Sequence, residues 1–321
     1  MGEKMKADSF CPVCGSADVE AIGSYHGNHP IFSGLKLANC RLCWMGFANP
    51  MPQDSDLDNY NASYFVSAHG GKQQNSLAKA FFSGIALLRL AHIEHYLNRR
   101  DIAVSTLLEF GPGTGFFARR WLAKYPQTAY KAHETDTSCY TSLQEIGVTL
   151  VVASAQIEDT DPVDLVVMSH VLEHVSNPIE FLKNATQNLR KGGVLFIEVP
   201  CRDWEHKPIY EPHLLFFDKD PMQHLLRNLG FEDIKMSYHG QEIEQLRSAS
   251  VWRSKLMALR SKLIALGLVA PFSRIKPGME ILKDQLERAV LSPFKAYLEI
   301  ERPAWWLRAI ARKGQVPKSS S

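Results

Sequence analysis

The chain lacks several features that would point directly to a function. It has no unbroken apolar run approaching the roughly 20 residues that cross a bilayer, and its opening stretch MGEKMKADSF has no apolar core of the secretory kind. The expectation is a cytoplasmic protein. Neither charge is in excess: 36 Lys and Arg face 34 Asp and Glu over 321 residues, a formal net charge of +2. So even a balance does not suggest a dedicated nucleic-acid binder, because phosphate recognition needs a concentrated basic face. No repeat and no low-complexity tract occurs beyond the polar tail KSSS. Cysteines number only six, and a reducing compartment makes them metal ligands or bystanders before disulfides. What is present is an ordinary composition, 45% hydrophobic and 22% charged, in a chain long enough for a full core and more than one unit.

Four of the cysteines fall into a pattern. FCPVCGS places Cys11 and Cys14 on one knuckle, and ANCRLCWMGF places Cys40 and Cys43 on another. Two such pairs are predicted to converge on one tetrahedral zinc, with sulfur in all four positions. A site closed in this way has no coordination position for water, so its role is to hold a small unit together. Cys139 and Cys201 stand apart and read as packing residues.

From about residue 104 short apolar runs alternate with helical stretches: VSTLLEF, FFARRWLAKY, AYKAHETD, TSCYTSLQEI, DLVVMSHVL, a helix from Pro178, and GGVLFIEVP. Such alternation predicts an α/β fold, a doubly wound parallel sheet with crossover helices. For the helix at Pro178, Asn177 is a suitable N-cap, Glu180 completes a capping box, and Gly192-Gly193 is expected to end it. In an open parallel sheet ligands bind beyond the carboxyl ends of the strands. LLEFGPGTGFF, residues 107–117, sits at such an end. Its glycines permit a tight turn and close approach of a ligand, and the helix from Phe116 offers free amides. The spacing Gly-x-Gly-x-Gly, with Glu109 two residues before the first glycine, differs from the dinucleotide fingerprint and disfavours nicotinamide.

LEFGPGTG, then HETDTS, DLVVMSHVLEHVSNP and LRKGGVLFIEVP resemble the successive motifs of class I S-adenosylmethionine-dependent methyltransferases. The resemblance implies a Rossmann-like methyltransferase sheet, with Glu109, Gly111, Gly113 and Gly115 around the methionine part of S-adenosylmethionine. It places Asp136 on the ribose hydroxyls, with Glu134 as the nearby competitor, Ala155 and Gln156 at adenine, and His170 at the methionine end. A carboxylate suits a vicinal diol because it accepts two hydrogen bonds. The paired knuckles, with Pro50 and Pro52 following, are similar to the zinc-binding unit of sugar C-methyltransferases and related bacterial proteins. YNASYF, with Tyr60 and Tyr64, looks like an aromatic lead-in that closes over the cofactor, and WWLRAIARK resembles the final antiparallel strand. IYEPHLLFFD, residues 209–218, keeps Tyr210, His213, Phe216 and Phe217 of the related stretch but has Glu211-Pro212 where that family has His-Glu. The change tells against carbon methylation, which needs well-placed acid and base groups; a hydroxyl needs only one positioned base. The expected base is His213, with His170 and His174 as alternatives and Tyr210 beside them. Glu173-His174 alone is too small a set to define a metal site.

The expected organisation is a zinc-binding unit over 1–55, the cofactor-binding domain over 56–240, a helical insertion over 241–300, and a final strand and tail over 301–321. The insertion has a basic amphipathic pattern: Arg247, Arg253, Lys255, Arg260, Lys262, Arg274 and Lys276 flank Val251, Trp252, Leu256, Leu259, Leu263 and Ile264. It fits packing on its own domain or on a second copy as a homodimer, and also an anionic membrane surface. The expected activity is methyl transfer to a small-molecule acceptor, a sugar or nucleotide sugar. An RNA or protein methyltransferase is the alternative, although residues 1–50 have few basic residues and no row of aromatics for stacking bases. A zinc-stabilised scaffold without turnover is the third reading, and the intact glycine turn argues against it.

Overall fold

A computed structural model of the chain describes residues 10–25, 30–53, 55–57, 75–151, 162–206, 212–248, 255–256, 259–260, 262–264, 266–269 and 277–314. Three short strands come first, β1 (Val19–Ser24), β2 (Lys36–Cys40) and β3 (Gly46–Asn49). A long helix α1 (Ser76–Asn98) leads into the alternating part: β4 (Thr106–Phe110), α2 (Phe116–Lys124), β5 (Ala129–His133), α3 (Tyr140–Gln144), β6 (Thr149–Leu150), β7 (Val163–Ser169), α4 (Pro178–Ala185) and β8 (Leu189–Pro200). There follow β9 (Leu215–Phe216), α5 (Lys219–Asn228), β10 (Phe231–Glu242), α6 (Ile243–Arg247), α7 (Gln285–Leu291), β11 (Glu299–Ile300) and β12 (Ala304–Lys313).

The larger sheet runs β11-β10-β12-β8-β7-β4-β5-β6. Strands β8, β7, β4, β5 and β6 are mutually parallel, and β12 lies antiparallel between β8 and β10. The order reverses between β4 and β7, so the glycine turn after β4 and His170 after β7 open onto the switch point where ligands bind. Parallel strands are covered on both faces and read as continuous apolar runs. Leu107, Leu165, Val166, Val167, Met168, Val194, Phe196 and Ile197 are accordingly all fully buried. One face packs on α1, α2 and α3 through Ile93, Trp121 and Leu143; the other packs on α4, α5 and the cysteine-bearing unit through Leu182, Leu225 and Met45.

Among the described residues α1 is the one helix long and apolar enough to cross a membrane by length and composition. Its position accounts for that composition. Ile85, Leu88, Leu90, Ile93 and Leu97 are buried, and Gly84 lets Leu291 and Glu287 of α7 come close. The α4 cap forms as its sequence predicts, with Asn177 Oδ1 accepting from the Glu180 amide at 3.1 Å. The helix stops at Ala185, however, and not at the Gly192-Gly193 pair expected to end it. Those glycines belong to β8, where the pairing with β7 shifts register and Gly192 at φ +74° lies against the Arg312 guanidinium.

The cysteine-bearing sheet has the order β1-β2-β3-β9, so its edge strand comes from residues 215–216, far from the first 55. One apolar cluster runs without a break from Cys11, Val13 and Met45 to Leu108, Val166 and Phe216. Of the 241–300 stretch, α7 packs on α1. Most of the basic amphipathic segment lies outside the described residues; within them Ile264 is buried and Leu256, Leu259, Leu266 and Leu268 are exposed.

Candidate active site

The turn after β4 has Gly111, Gly113 and Gly115 at φ +63°, +56° and +82°. Glycine is required for this run of left-handed residues, since other residues resist the conformation. The three differ in what faces the missing side chain. A Cβ on Gly111 would fall 2.6 Å from Val171 and one on Gly115 2.8 Å from Ile146, but a Cβ on Gly113 would meet nothing within 4 Å. Gly113 therefore presents bare backbone to open space at the switch point.

Two acids stand behind the turn. Glu109, on β4, is buried and accepts from the Tyr130 hydroxyl at 2.5 Å. Burial pushes its carboxyl up to about 7, against the downward pull of the Tyr130 hydrogen bond and the Arg89 charge. Glu134, just past β5, accepts from the Gly113 amide at 2.8 Å and the Asp136 amide at 2.9 Å. Burial raises its carboxyl despite those bonds. Asp136 is itself buried, and its Oδ1 accepts from the Ser138 amide at 2.9 Å, capping a short helical turn over 137–139. The competitor Glu134 is thus the acid that touches the glycine turn. Ala155, Gln156, Tyr210, Tyr60 and Tyr64 lie outside the described residues.

At the end of β7, His170 adopts φ +57°, a strained conformation for a residue with a side chain. Its Nδ1 lies 3.1 Å from Glu173 Oε1 and its Nε2 3.5 Å from Glu198 Oε1. Burial alone would lower its imidazole, but the hydrogen bonds to Glu173 and Glu198 prevail and raise it. About a third of the ring is exposed, making it an accessible acid–base group at the switch point. His213 is buried, with Nδ1 2.7 Å from Asp203 Oδ2 and its ring 4.7 Å from that of His174.

Several of these groups lack a strong sequence signal. Asp203 is an ordinary acid in CRDW until the fold sets it on His213. Glu198 does have a signal, a charge inside the apolar run VLFIEVP. It is buried on β8 and takes Arg89 Nε at 2.8 Å and Arg308 Nε at 2.6 Å, the latter from β12. A cleft lined by Trp44, Arg202, Trp204, Glu205 and Phe216 lies on the cysteine-bearing sheet and includes none of the glycine-turn residues.

Cys11, Cys14, Cys40 and Cys43 come together, all four sulfurs within 4.8 Å of one another. Cys11–Cys43 and Cys14–Cys40 each stand 3.5 Å apart, close to the roughly 3.8 Å edge of a tetrahedron with sulfurs about 2.3 Å from zinc. The donor set and its spacing fit zinc. Cys139 and Cys201 are buried in the core.

A parallel sheet with one inserted antiparallel strand, with a glycine turn at its switch point and acids behind that turn, defines the class I methyltransferase architecture. Residues 84–236 match the family model of a methyltransferase domain, so the chain carries a class I S-adenosylmethionine-dependent methyltransferase domain. No curated protein matches it significantly in sequence. Similar solved structures include an S-adenosylmethionine-dependent methyltransferase of Thermotoga maritima described as a possible histamine N-methyltransferase, at 17% identity over 79% of this chain and 99% of that one, TM-score 0.48. A plantazolicin methyltransferase in complex with a triazolic desmethylPZN analogue and S-adenosylhomocysteine is 10% identical over 82% of this chain and 99% of that one, TM-score 0.48. Coclaurine N-methyltransferase is 16% identical over 69% of this chain and 70% of that one, TM-score 0.44.

Proposed function

We propose that the chain methylates a hydroxyl of a small-molecule acceptor, a sugar or nucleotide sugar, in the cytoplasm, and that its four N-terminal cysteines hold a structural zinc. The observation that supports this acceptor class best is the group of acid–base side chains gathered at the end of β7: His170, exposed in part between Glu173 and Glu198, and His213, held by Asp203 with its ring 4.7 Å from that of His174. An imidazole suits a hydroxyl acceptor, whose proton must leave as the methyl arrives. Displacement at the sulfonium methyl gains most of its rate from holding acceptor oxygen, methyl carbon and sulfur in line. The stretch around His213 relates the chain to the sugar C-methyltransferases, while Glu211-Pro212 in place of His-Glu favours oxygen over carbon as the acceptor atom.

The cofactor site is tested by titrating S-adenosylmethionine calorimetrically into wild type, Glu134→Ala and Asp136→Ser. Serine keeps a cap at position 136, so that variant removes only the charge. The acid that holds the ribose diol should cost about 2–4 kcal/mol, tens to about a thousandfold in affinity. Because Glu134 touches the turn, its loss is expected to be the larger. Wild-type affinity in both variants would remove the diol contact from the proposal. The acceptor class is then tested by transfer of labelled methyl to a panel of nucleotide sugars, peptides and RNA. Labelling confined to RNA or peptide would overturn it.

A further inference from the structure

Glu173, His174 and His213 form a second group of metal-ligating side chains among the described residues. One ligand atom from each lies within 4.8 Å of the others, and all three residues are buried. Glu173 is 1% exposed and its Oε2 has no hydrogen-bond partner. A buried carboxylate oxygen in that condition is costly unless a cation or a hydrogen-bond donor completes it. The two imidazoles are anchored at Nδ1, His213 on Asp203 Oδ2 at 2.7 Å and His174 on the Pro212 carbonyl at 3.2 Å. Anchoring of this kind stands behind metal-bound histidines, where it fixes the ring and raises the basicity of the other nitrogen.

The geometry points to a divalent transition-metal site formed by Glu173, His174 and His213, with Asp203 and the Pro212 carbonyl as its supporting groups. Two imidazoles and one carboxylate suit zinc, iron(II) or cobalt and leave at least one coordination position for a ligand. Val171, two residues before Glu173, packs where a Gly111 side chain would fall, so the site adjoins the glycine turn. The role of the metal rests on the methyltransferase reading: it takes a hydroxyl of the acceptor, orients it and makes it more acidic, and with His213 on the metal the proton goes to His170, which lies outside the ligand set.

Protein expressed in cobalt-supplemented minimal medium distinguishes this site from the cysteines, because only thiolate-bound cobalt gives a sulfur-to-metal charge-transfer absorption. Wild type should carry two cobalt ions per chain by elemental analysis, one with that absorption and one without. Glu173→Gln and His213→Ala should each bring the count down to one and leave the thiolate absorption unchanged, which also reports that the variants fold. Asp203→Asn should weaken the second ion ten- to hundredfold in competition with a chelator. Calorimetry with S-adenosylmethionine on the same preparations separates the two readings. A wild-type chain that binds S-adenosylmethionine but holds a single, thiolate-bound cobalt overturns the site. Two cobalt ions without S-adenosylmethionine binding would support the site and count against the enzyme.

Discussion

Gly113 isolates what a missing side chain does for the cofactor. At φ +56° an added methyl strains the backbone by about 1–2 kcal/mol, but it would meet no protein atom within 4 Å. Gly113→Ala should therefore fold, with a melting temperature a few degrees lower, and lose tenfold or more in S-adenosylmethionine affinity by calorimetry. Undiminished affinity would show that no ligand packs against that backbone. Glu109 supplies a second prediction at this scale. Its folded carboxyl lies near 7 and its ordinary value near 4.5, so the folded state holds the proton more tightly than the unfolded one. Stability is then highest below about 4.5, falls as pH rises through that window, and is flat above 7, a loss of about 3 kcal/mol. Glu109→Gln keeps a partner for Tyr130 and has no charge to desolvate. Urea unfolding should find it more stable than wild type at pH 8 and no more stable at pH 4.5. A variant destabilised equally at both values would show that Glu109 is ionised at no cost.

At the scale of elements the clearest case is β8 against β12. Glu198 and Arg308 are each buried in the middle of an apolar strand, and they meet because the two strands pair, Arg308 opposite Glu198. The pair is asymmetric. Glu198 also has Arg89, whereas Arg308 has a buried NH2 without a partner. Glu198→Leu should therefore cost about 3–5 kcal/mol by stranding a buried guanidinium. Arg308→Met should cost clearly less, because Arg89 still neutralises the acid. Equal losses in urea unfolding would refute the asymmetry. The same strands mark the limit of what the sequence reveals. The parallel strands, the glycine turn and the Asn177 cap are legible because each depends on residues within a few positions: an apolar run, a Gly-x-Gly-x-Gly spacing, a capping box. The partners Glu198–Arg308 and His213–Asp203 are not, since long-range pairing creates them and neither residue carries a local mark of the other. Gly192-Gly193 misleads for a related reason: a glycine pair after a helical stretch fits a helix end, and only the register shift between β7 and β8 reveals its place in a strand.

At the scale of the whole molecule, the cysteine-bearing sheet is joined to the chemistry through β9. The strand pairs Phe47 with Leu215 and Gly46 with Phe216. The Ala48 amide donates to the Leu214 carbonyl at 2.8 Å, the Tyr25 hydroxyl to the His213 carbonyl at 2.5 Å, and the Leu214 amide to the Glu173 carbonyl at 2.7 Å. Residues 212–217 are thus clamped between the zinc-type knuckles and the end of β7. The glycine turn shares no such bond with that sheet among the described residues. A metal at Cys11, Cys14, Cys40 and Cys43 would then govern the acceptor side of the site more than the cofactor side. Cys40→Ser should raise hydrogen exchange at the Leu214 amide and across 212–217 by tenfold or more, leave β4 and β5 protected, and change S-adenosylmethionine affinity less than threefold. Tyr25→Phe, which removes one bond and spares the cysteines, should give the same pattern at smaller amplitude. If exchange instead rises together in 212–217 and in β4, the sheet is a support for the entire core, and the selective link from knuckle to His213 does not exist.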